Sequence, residues 1–479
     1  MDEQLNENPR PQNPRRRRRT QEEIIKENYL PIIIAGVSLL LIVIFIIGAI
    51  VRGISYSNAE KESAEAAYQS SVAESKAHAA EAEDLIAQVS IMMANYDYDG
   101  ALAAMDGFSG DIAQYNQLTA LYTQCKSASA SAVVWDDPND VVNLSFHQLI
   151  ADPKRAFNDN GMGKTYNRDY VTVEEFQRIL QQLFENGYVL VSLDDIVEVT
   201  TDASGNTTFS AKALKLPQGK KPLMITQTNV NSYYKQVDGD GDFLPDASGD
   251  GFASKLMVDE NGKVVSELIN ADGTPAYGAY DLVPVLDAFV AQNPNFSYKG
   301  AKAILCVSGY DGIFGHRIDK DAKERMAAED FDLEVKNATA LVNKLKENGY
   351  TLACYTYGNS AYGSMTATQI QADLKSWEEE IAPVIGKLDV LAFAKKSPIT
   401  NNGVLSGEKY DVLKAAGFKY YLGFSSAGSS WADATAEYFY QGRVMVMGST
   451  MAHNSEWFDG LFKTTSVLDP SRGTVPAPV

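Results

Sequence analysis

From Ile32 to Val51 the chain reads IIIAGVSLLLIVIFIIGAIV, twenty residues without a charge. At about 1.5 Å of rise per residue, a helix of that length crosses a hydrocarbon core of roughly 30 Å. The run therefore predicts a transmembrane helix. A core helix this long would keep a polar face. A cleavable signal peptide would have a shorter apolar stretch ending in a small-x-small site, whereas Val51 is followed by Arg-Gly-Ile-Ser-Tyr. Five arginines, Arg15 to Arg19, precede the run and only Arg52 and Lys61 lie close behind it. Basic residues stay on the cytoplasmic side, so the N-terminus is expected inside and everything after the helix outside. An arginine block also suits a nucleic-acid tail, but beside a spanning helix its orienting role is the simpler reading.

The 479 residues carry a formal net charge of -20, unevenly placed. Residues 1–29 hold seven Lys/Arg against six Asp/Glu, which leaves the remainder near -21. Such a body repels phosphate backbones and anionic lipid, which excludes nucleic acid as a partner of the main domain. Three cysteines, Cys125, Cys306 and Cys354, are too few for a disulfide framework and lack metal-ligand spacing. Cys306 and Cys354 sit in AILCV and TLACY, apolar runs that read as buried strands. Packing is their expected role, although neighbouring strands would bring the two together.

The chain divides by pattern into a cytoplasmic basic tail (1–29), the transmembrane helix (30–52), a helical stalk, hairpin and linker (53–139), a main domain (140–460) and a C-terminal tail (461–479). Residues 53–79 are rich in Ala, Ser and Glu, as in an exposed helix. Residues 80–128 show two apolar-periodic stretches around a glycine-containing turn, the pattern of a helical hairpin. The segment 127–139 reads as linker. Beyond Val141, β-rich runs at 222–229, 301–310, 350–358, 388–396, 420–426 and 443–450 alternate with amphipathic helical stretches. Apolar strands separated by helices imply a parallel sheet buried on both faces, either a (β/α) barrel or a doubly wound sheet. In a barrel, chemistry sits where strands end and loops begin.

Three phrases carry a resemblance. They are VTVEEFQRILQQLFENGYVLVSLDDI (171–196), VNKLKENGYTLACYTYGNSAYGSM (342–365) and KAAGFKYYLGFS (414–425). In this order they resemble the opening helix and strand, the second motif and a late segment of the polysaccharide deacetylases, the NodB-homology or carbohydrate esterase four family. The resemblance implies a (β/α) barrel of the polysaccharide deacetylase type over about residues 141–450. It also implies a hydrolase that removes acetyl groups from amino sugars with a bound divalent metal. Two imidazoles and a carboxylate would hold the metal and a second carboxylate would take the proton. At the matching positions this sequence has Thr228 for the base, Asn229 for the metal carboxylate, and Tyr355 and Asn359 for the two imidazoles. Ala394 falls near the position of a third-motif arginine. The resemblance thus implies a barrel whose catalytic groups have been replaced and whose mouth holds no metal.

The four histidines, His78, His147, His316 and His453, show no paired ligand spacing. Carboxylates at Asp238, Asp240, Asp242 and Asp246 resemble the start of a calcium loop, with Phe243 at the glycine position and Gly249 in place of the bidentate glutamate. Calcium is the cation such hard oxygen ligands would take, against the plainer reading of a solvated acidic loop. Tyr233, Tyr234, Tyr310, Asp311, Arg317 and Tyr357 fall near the barrel mouth and suit sugar stacking, each also being an ordinary candidate for core or rim.

The sequence is accordingly read as a single-pass membrane protein whose extracytoplasmic pseudoenzyme domain binds cell-wall polysaccharide or an envelope protein. Two alternatives stay open: an active metal-dependent de-N-acetylase with a displaced or metal-free site, and an envelope scaffold acting through the helical hairpin. Whether the chain is an enzyme is left undecided by these residues.

Overall fold

The computed structural model describes residues 30–158, 161–204, 207–238, 244–400 and 404–479. The basic tail with Arg15–Arg19, and Asp240 and Asp242 of the acidic loop, lie outside them. The chain divides into two units, Met1–Glu83 and Asp84–Val479.

Helix α1 runs from Leu30 to Ala94, 65 residues. Its apolar part reaches a mean hydropathy of 3.1 with none of that stretch buried, so it is long and apolar enough to cross a membrane. Past Val51 the helix continues through Ala, Glu, Lys and Ser, mostly strong helix formers, and is exposed over nearly all of 53–79.

The second unit begins with three packed helices where a hairpin of two was expected. The end of α1 packs with α2 (Tyr98–Asp106) and α3 (Asn116–Ala130) around Leu85, Val89, Ala101, Met105, Leu118 and Cys125. The break falls at Tyr96, whose φ is 62°, and Asp97 then caps α2 by accepting from the Gly100 N–H at 3.1 Å. The expected linker 127–139 is also structured. Helix α3 continues to Ala130 and Val133–Trp135 pairs antiparallel with Leu214–Leu216. Three β-prone residues suffice for this edge strand, and the flanking Ser/Ala run hides them in the sequence.

Seven parallel strands then close a barrel: β1 (Val142–Phe146), β2 (Lys221–Thr228), β3 (Ile304–Val307), β4 (Thr351–Cys354), β5 (Val390–Ala392), β6 (Tyr420–Phe424) and β7 (Phe439–Met445). Each pairs with the next, and β7 pairs with β1 through Val444↔Leu144 and Met445↔Ser145. Outward residues of the strands form one core with the surrounding helices. From α4 (Val173–Glu185) come Phe176, Ile179, Leu180 and Leu183, and from α5 (Ala328–Glu347) come Ala338, Leu341, Val342 and Leu345. Those spacings of three and four place one apolar stripe on the barrel. Strand β1 is absent from the apolar runs of the sequence because its inward residues, Asn143 and Ser145, are polar. Strand β7 is centred earlier than the run at 443–450, which places Arg443 inside the barrel wall.

Cys306 pairs with Ala353, and Cys354 lies one residue beyond, opposite Val307. The one-residue offset turns the two thiols to opposite faces of the sheet. Both are buried and free, as packing requires.

Between β2 and β3 the chain inserts an antiparallel sheet of Lys255–Val258, Val264–Ile269 and Pro275–Gly278. The C-terminal segment 461–479 lies against the barrel's helices. Arg472 is buried and grips the buried Glu175 through Nε at 2.5 Å and Nη2 at 2.6 Å, while Glu175 also completes the capping box of α4 with Thr172. A fully desolvated pair of this kind tolerates loss of one partner poorly. Arg472→Met is expected to lower the unfolding free energy by about 3–5 kcal/mol in a denaturant titration. A loss below about 1 kcal/mol would mean that this segment does not hold the fold.

Candidate functional site

The mouth of the barrel is built by the residues just past the strand ends. Thr228 closes β2 and Asn229 follows it; Tyr355 and Thr356 follow β4; Ala394, Lys395 and Lys396 follow β5. Just past β1 stands His147, which no residue spacing places here, since its neighbours in the mouth are some eighty residues away in the chain. Its Nδ1 lies 2.9 Å from Thr228 Oγ1 and 3.3 Å from Asn229 Nδ2.

The four positions of the deacetylase resemblance form one hydrogen-bonded chain. Asn229 Oδ1 accepts from the Tyr233 hydroxyl at 3.3 Å, and that hydroxyl accepts from Asn359 Nδ2 at 3.3 Å and pairs with Ser308 Oγ at 3.2 Å. Thr228 and the Lys395 backbone meet the phenol of Tyr355, whose burial nevertheless pushes its pKa up. Every member is neutral near pH 7. Burial is also the main cause that lowers the half-buried His147 from 6.5 to about 4; Lys396 and Arg443 push the same way and Asp169 opposes them. The ring of Tyr170 lies against it, tilted by 39°, at 5.1 Å between centroids. His147 is therefore a neutral imidazole across the physiological range.

Under these four positions Arg443 crosses the barrel interior. It is 2% exposed, donates through Nε to the Gly423 carbonyl at 2.9 Å and through Nη2 to the Phe393 carbonyl at 3.0 Å, and lies 5.9 Å from the Tyr355 ring centre.

The mouth is also where the backbone is strained. Ten non-glycine residues among those described have positive φ, and eight of them follow barrel strands: Asn229 and Ser232 after β2, Asp311 and Phe314 after β3, Thr356 and Asn359 after β4, Lys395 and Lys396 after β5. Left-handed conformations cost non-glycine residues roughly 1–3 kcal/mol each and persist where the surroundings over-determine them. Their concentration at one rim makes that rim the candidate site.

The six aromatic and polar residues expected at the rim come together, with unequal roles. Tyr310 is 54% exposed, with its ring 5.7 Å from that of Tyr233. Tyr233 itself is buried and occupied by the hydrogen bonds above. Arg317 lies 3.9 Å over the Tyr234 ring but is buried, and its two Nη groups donate to the carbonyls of Asp311 and Ser232 at 2.6 and 2.7 Å. The carboxylate of Asp311 accepts from the Tyr234 backbone N–H at 3.1 Å. Tyr357 donates its hydroxyl to Glu380 at 2.6 Å and packs its ring against Gly309, where any Cβ would collide with it. Tyr310, Tyr234 and Tyr357 thus present the accessible ring surface, and Tyr233 and Arg317 form the wall behind it.

A divalent metal finds no matching donor set here. Among the described residues no three of His, Cys, Asp and Glu converge, and at the mouth the imidazole of His147 stands beside an amide, a hydroxyl and a phenol. In the acidic loop, Asp238 and Asp246 are described; the Asp246 carboxylate accepts from the backbone N–H groups of Ser248 and Gly249, closing its own turn. His316, by contrast, is an interior strut between Glu334 at 2.8 Å and the Leu256 carbonyl at 2.9 Å.

Comparison with solved structures returns polysaccharide deacetylases. A Streptococcus pyogenes deacetylase in complex with acetate is 12% identical, with 69% of this chain and 98% of that chain covered and a TM-score of 0.33. A Bacillus cereus polysaccharide deacetylase is 12% identical over 67% of this chain and 69% of its own, at 0.33. A de-N-acetylase from Aggregatibacter actinomycetemcomitans is 11% identical over 66% and 99%, at 0.34. The likeness is one of fold. At such TM-scores it carries no argument about the site, which stands on its own residues. No protein-family profile matches the chain, and no curated protein is similar to it.

The lowered pKa of His147 has a consequence for stability. An unfolded histidine takes its proton near 6.5 and the folded one only near 4, so the unfolded state binds more protons between these values. Its contribution to stability is complete above pH 6.5 and is lost as the pH falls toward 4. The full loss is on the order of 3 kcal/mol. His147→Gln, compared with the unchanged protein by thermal unfolding at pH 7 and pH 4.5, is expected to flatten that decline. Parallel pH profiles for the two proteins would show that His147 does not resist protonation.

Proposed function

We propose that this chain is a membrane-anchored, extracytoplasmic, deacetylase-like protein that binds cell-wall glycan at its barrel mouth and has lost metal-dependent deacetylation. The observation that carries the reading is the set of neutral, hydrogen-bonded groups of Thr228, Asn229, Tyr355 and Asn359, linked through His147 and Tyr233, at positions where hydrolysis would need a base and three metal ligands. A general base alone contributes about two to four orders of magnitude in rate, and a metal supplies the nucleophile as well. The strained rim and the exposed Tyr310 support a binding role, since rigid loops and an open aromatic face suit a sugar ring.

Full-length protein in detergent, given acetylated chitin oligomers with zinc or cobalt, is expected to release no acetate above the blank, and to be retained by purified cell wall. Tyr310→Ala should weaken that retention about two- to tenfold. Metal-dependent acetate release would end the pseudoenzyme reading, and failure to bind wall material would end the glycan reading.

A second reading has one observation in its favour. The Thr228 hydroxyl and His147 imidazole stand at 2.9 Å, the geometry of a nucleophile and its base. Thr228 is buried, however, so substrate would have to displace its surroundings. Metal-independent acetate release that is abolished by both Thr228→Val and His147→Gln would establish this alternative.

The apolar segment of α1 with its preceding arginines supports an outward-facing main domain. Protease added to intact spheroplasts is expected to digest that domain and spare a small N-terminal fragment. Protection of the whole chain would reverse the orientation.

A further inference from the structure

Arg443 is a buried cation with an unfilled coordination. Two of its three nitrogens donate to carbonyls, but Nη1 is buried without a hydrogen-bond partner, and among the described residues no carboxylate forms a salt bridge with it. A buried guanidinium facing only neutral groups is costly, and its natural complement is an anion. A second orphan lies in the same interior. Ser145 Oγ is likewise buried and unpartnered. Ser145 pairs with Met445 across β1 and β7, two residues from Arg443, so alternation along the strand turns both side chains inward.

The charge around this pair points the same way. Exposed Lys395 and Lys396 follow β5, whose adjoining carbonyl at Phe393 holds the Arg443 guanidinium, and Lys396 lies 5.0 Å over the Phe424 ring at the end of β6. The charges of Lys396 and Arg443 both act on His147, just past β1, the strand next to Arg443's own. The acidic group that opposes them at His147, Asp169, is already paired with Arg168 at 2.6 Å. Positive charge is thus gathered on the β5–β7 side of the mouth, where it favours an anion, while Asp311, Asp319, Asp321 and Glu380 lie on the side of Tyr310 and Tyr357.

We propose that the barrel mouth takes the carboxylate of an acidic sugar, with Arg443 Nη1 and the Ser145 hydroxyl as its donors and Lys395 and Lys396 at its entrance. This deepens the glycan-binding reading and rests on it. A guanidinium and a hydroxyl that both lack a partner would each donate to a carboxylate, and the bond from the guanidinium would be charge-assisted.

The test is calorimetric titration of the full chain in detergent, at fixed ionic strength, with glucuronate, glucose, acetate and a neutral chito-oligosaccharide. Saturable binding of glucuronate, none of glucose, and acetate binding at least tenfold weaker are expected. Arg443→Gln should weaken glucuronate binding about ten- to hundredfold. Should that buried change prevent folding, the exposed double variant Lys395→Ser, Lys396→Ser decides, with a several-fold loss of affinity and a shallower dependence on salt. Equal affinity for acetate and glucuronate would overturn the sugar part of the proposal and leave a site for free carboxylates. Binding of the neutral oligosaccharide but not of glucuronate would overturn the anion site while leaving glycan binding in place. Binding of neither would overturn both, and the two buried orphans would then be partners of internal water.

Discussion

Everything at the mouth depends on the ring of strands being closed, and the closure is made by polar groups. Strands β1 and β7 stand about three hundred residues apart and share two residue pairs, against five between β1 and β2. Across that short seam Asn143 Nδ2 donates to Gln441 Oε1 at 3.0 Å and Gln441 Nε2 donates to the Val141 carbonyl at 2.9 Å. The Thr226 hydroxyl ties in β2 by donating to Asn143 Oδ1 at 2.8 Å. Each bond contributes about 1 kcal/mol net, but a member removed from the dry interior leaves its partner stranded at a greater cost. The network therefore fixes the register on which Ser145, His147, Thr228 and Arg443 all depend.

That same polarity explains what the sequence conceals. Strands β2 to β6 are read directly, because each contains a continuous apolar stretch and the intervening helices carry a clear stripe. Strand β1 is not, since Asn143 and Ser145 break its run. The four positions of the resemblance are legible because Thr228 and Asn229 end the apolar run 222–229, and the phrase 342–365 fixes Tyr355 and Asn359. His147 is invisible by the same method: a lone histidine has no spacing to read, and only barrel closure carries it to Thr228. Arg443 is hidden differently, at the edge of an apolar run that looks like the start of a strand rather than its interior. The sheet inserted between β2 and β3 escapes because its short antiparallel strands lack the continuous apolar pattern of the barrel.

The rim combines two properties that usually conflict. Its loops hold residues such as Thr356 and Phe314 in left-handed backbone, which is costly, and its interior holds a cation whose donors are not all used. A fold selected for stability alone would shed both, by glycine at the loop positions and by an apolar residue at Arg443. Their joint presence at the carboxyl ends of parallel strands, where barrels carry their chemistry, concentrates the molecule's unspent interaction energy in one place.

The placement of the two barrel thiols bears on how the protein matures. Cys306 and Cys354 stand on adjacent strands close enough in sequence register to suggest a bridge, yet one residue of offset sends them to opposite sides of the sheet. With Cys125 enclosed among the N-terminal helices, no thiol is exposed and none faces another. Folding can then proceed without an oxidant or a disulfide isomerase on either side of a membrane, and the finished chain is indifferent to the redox poise of its surroundings.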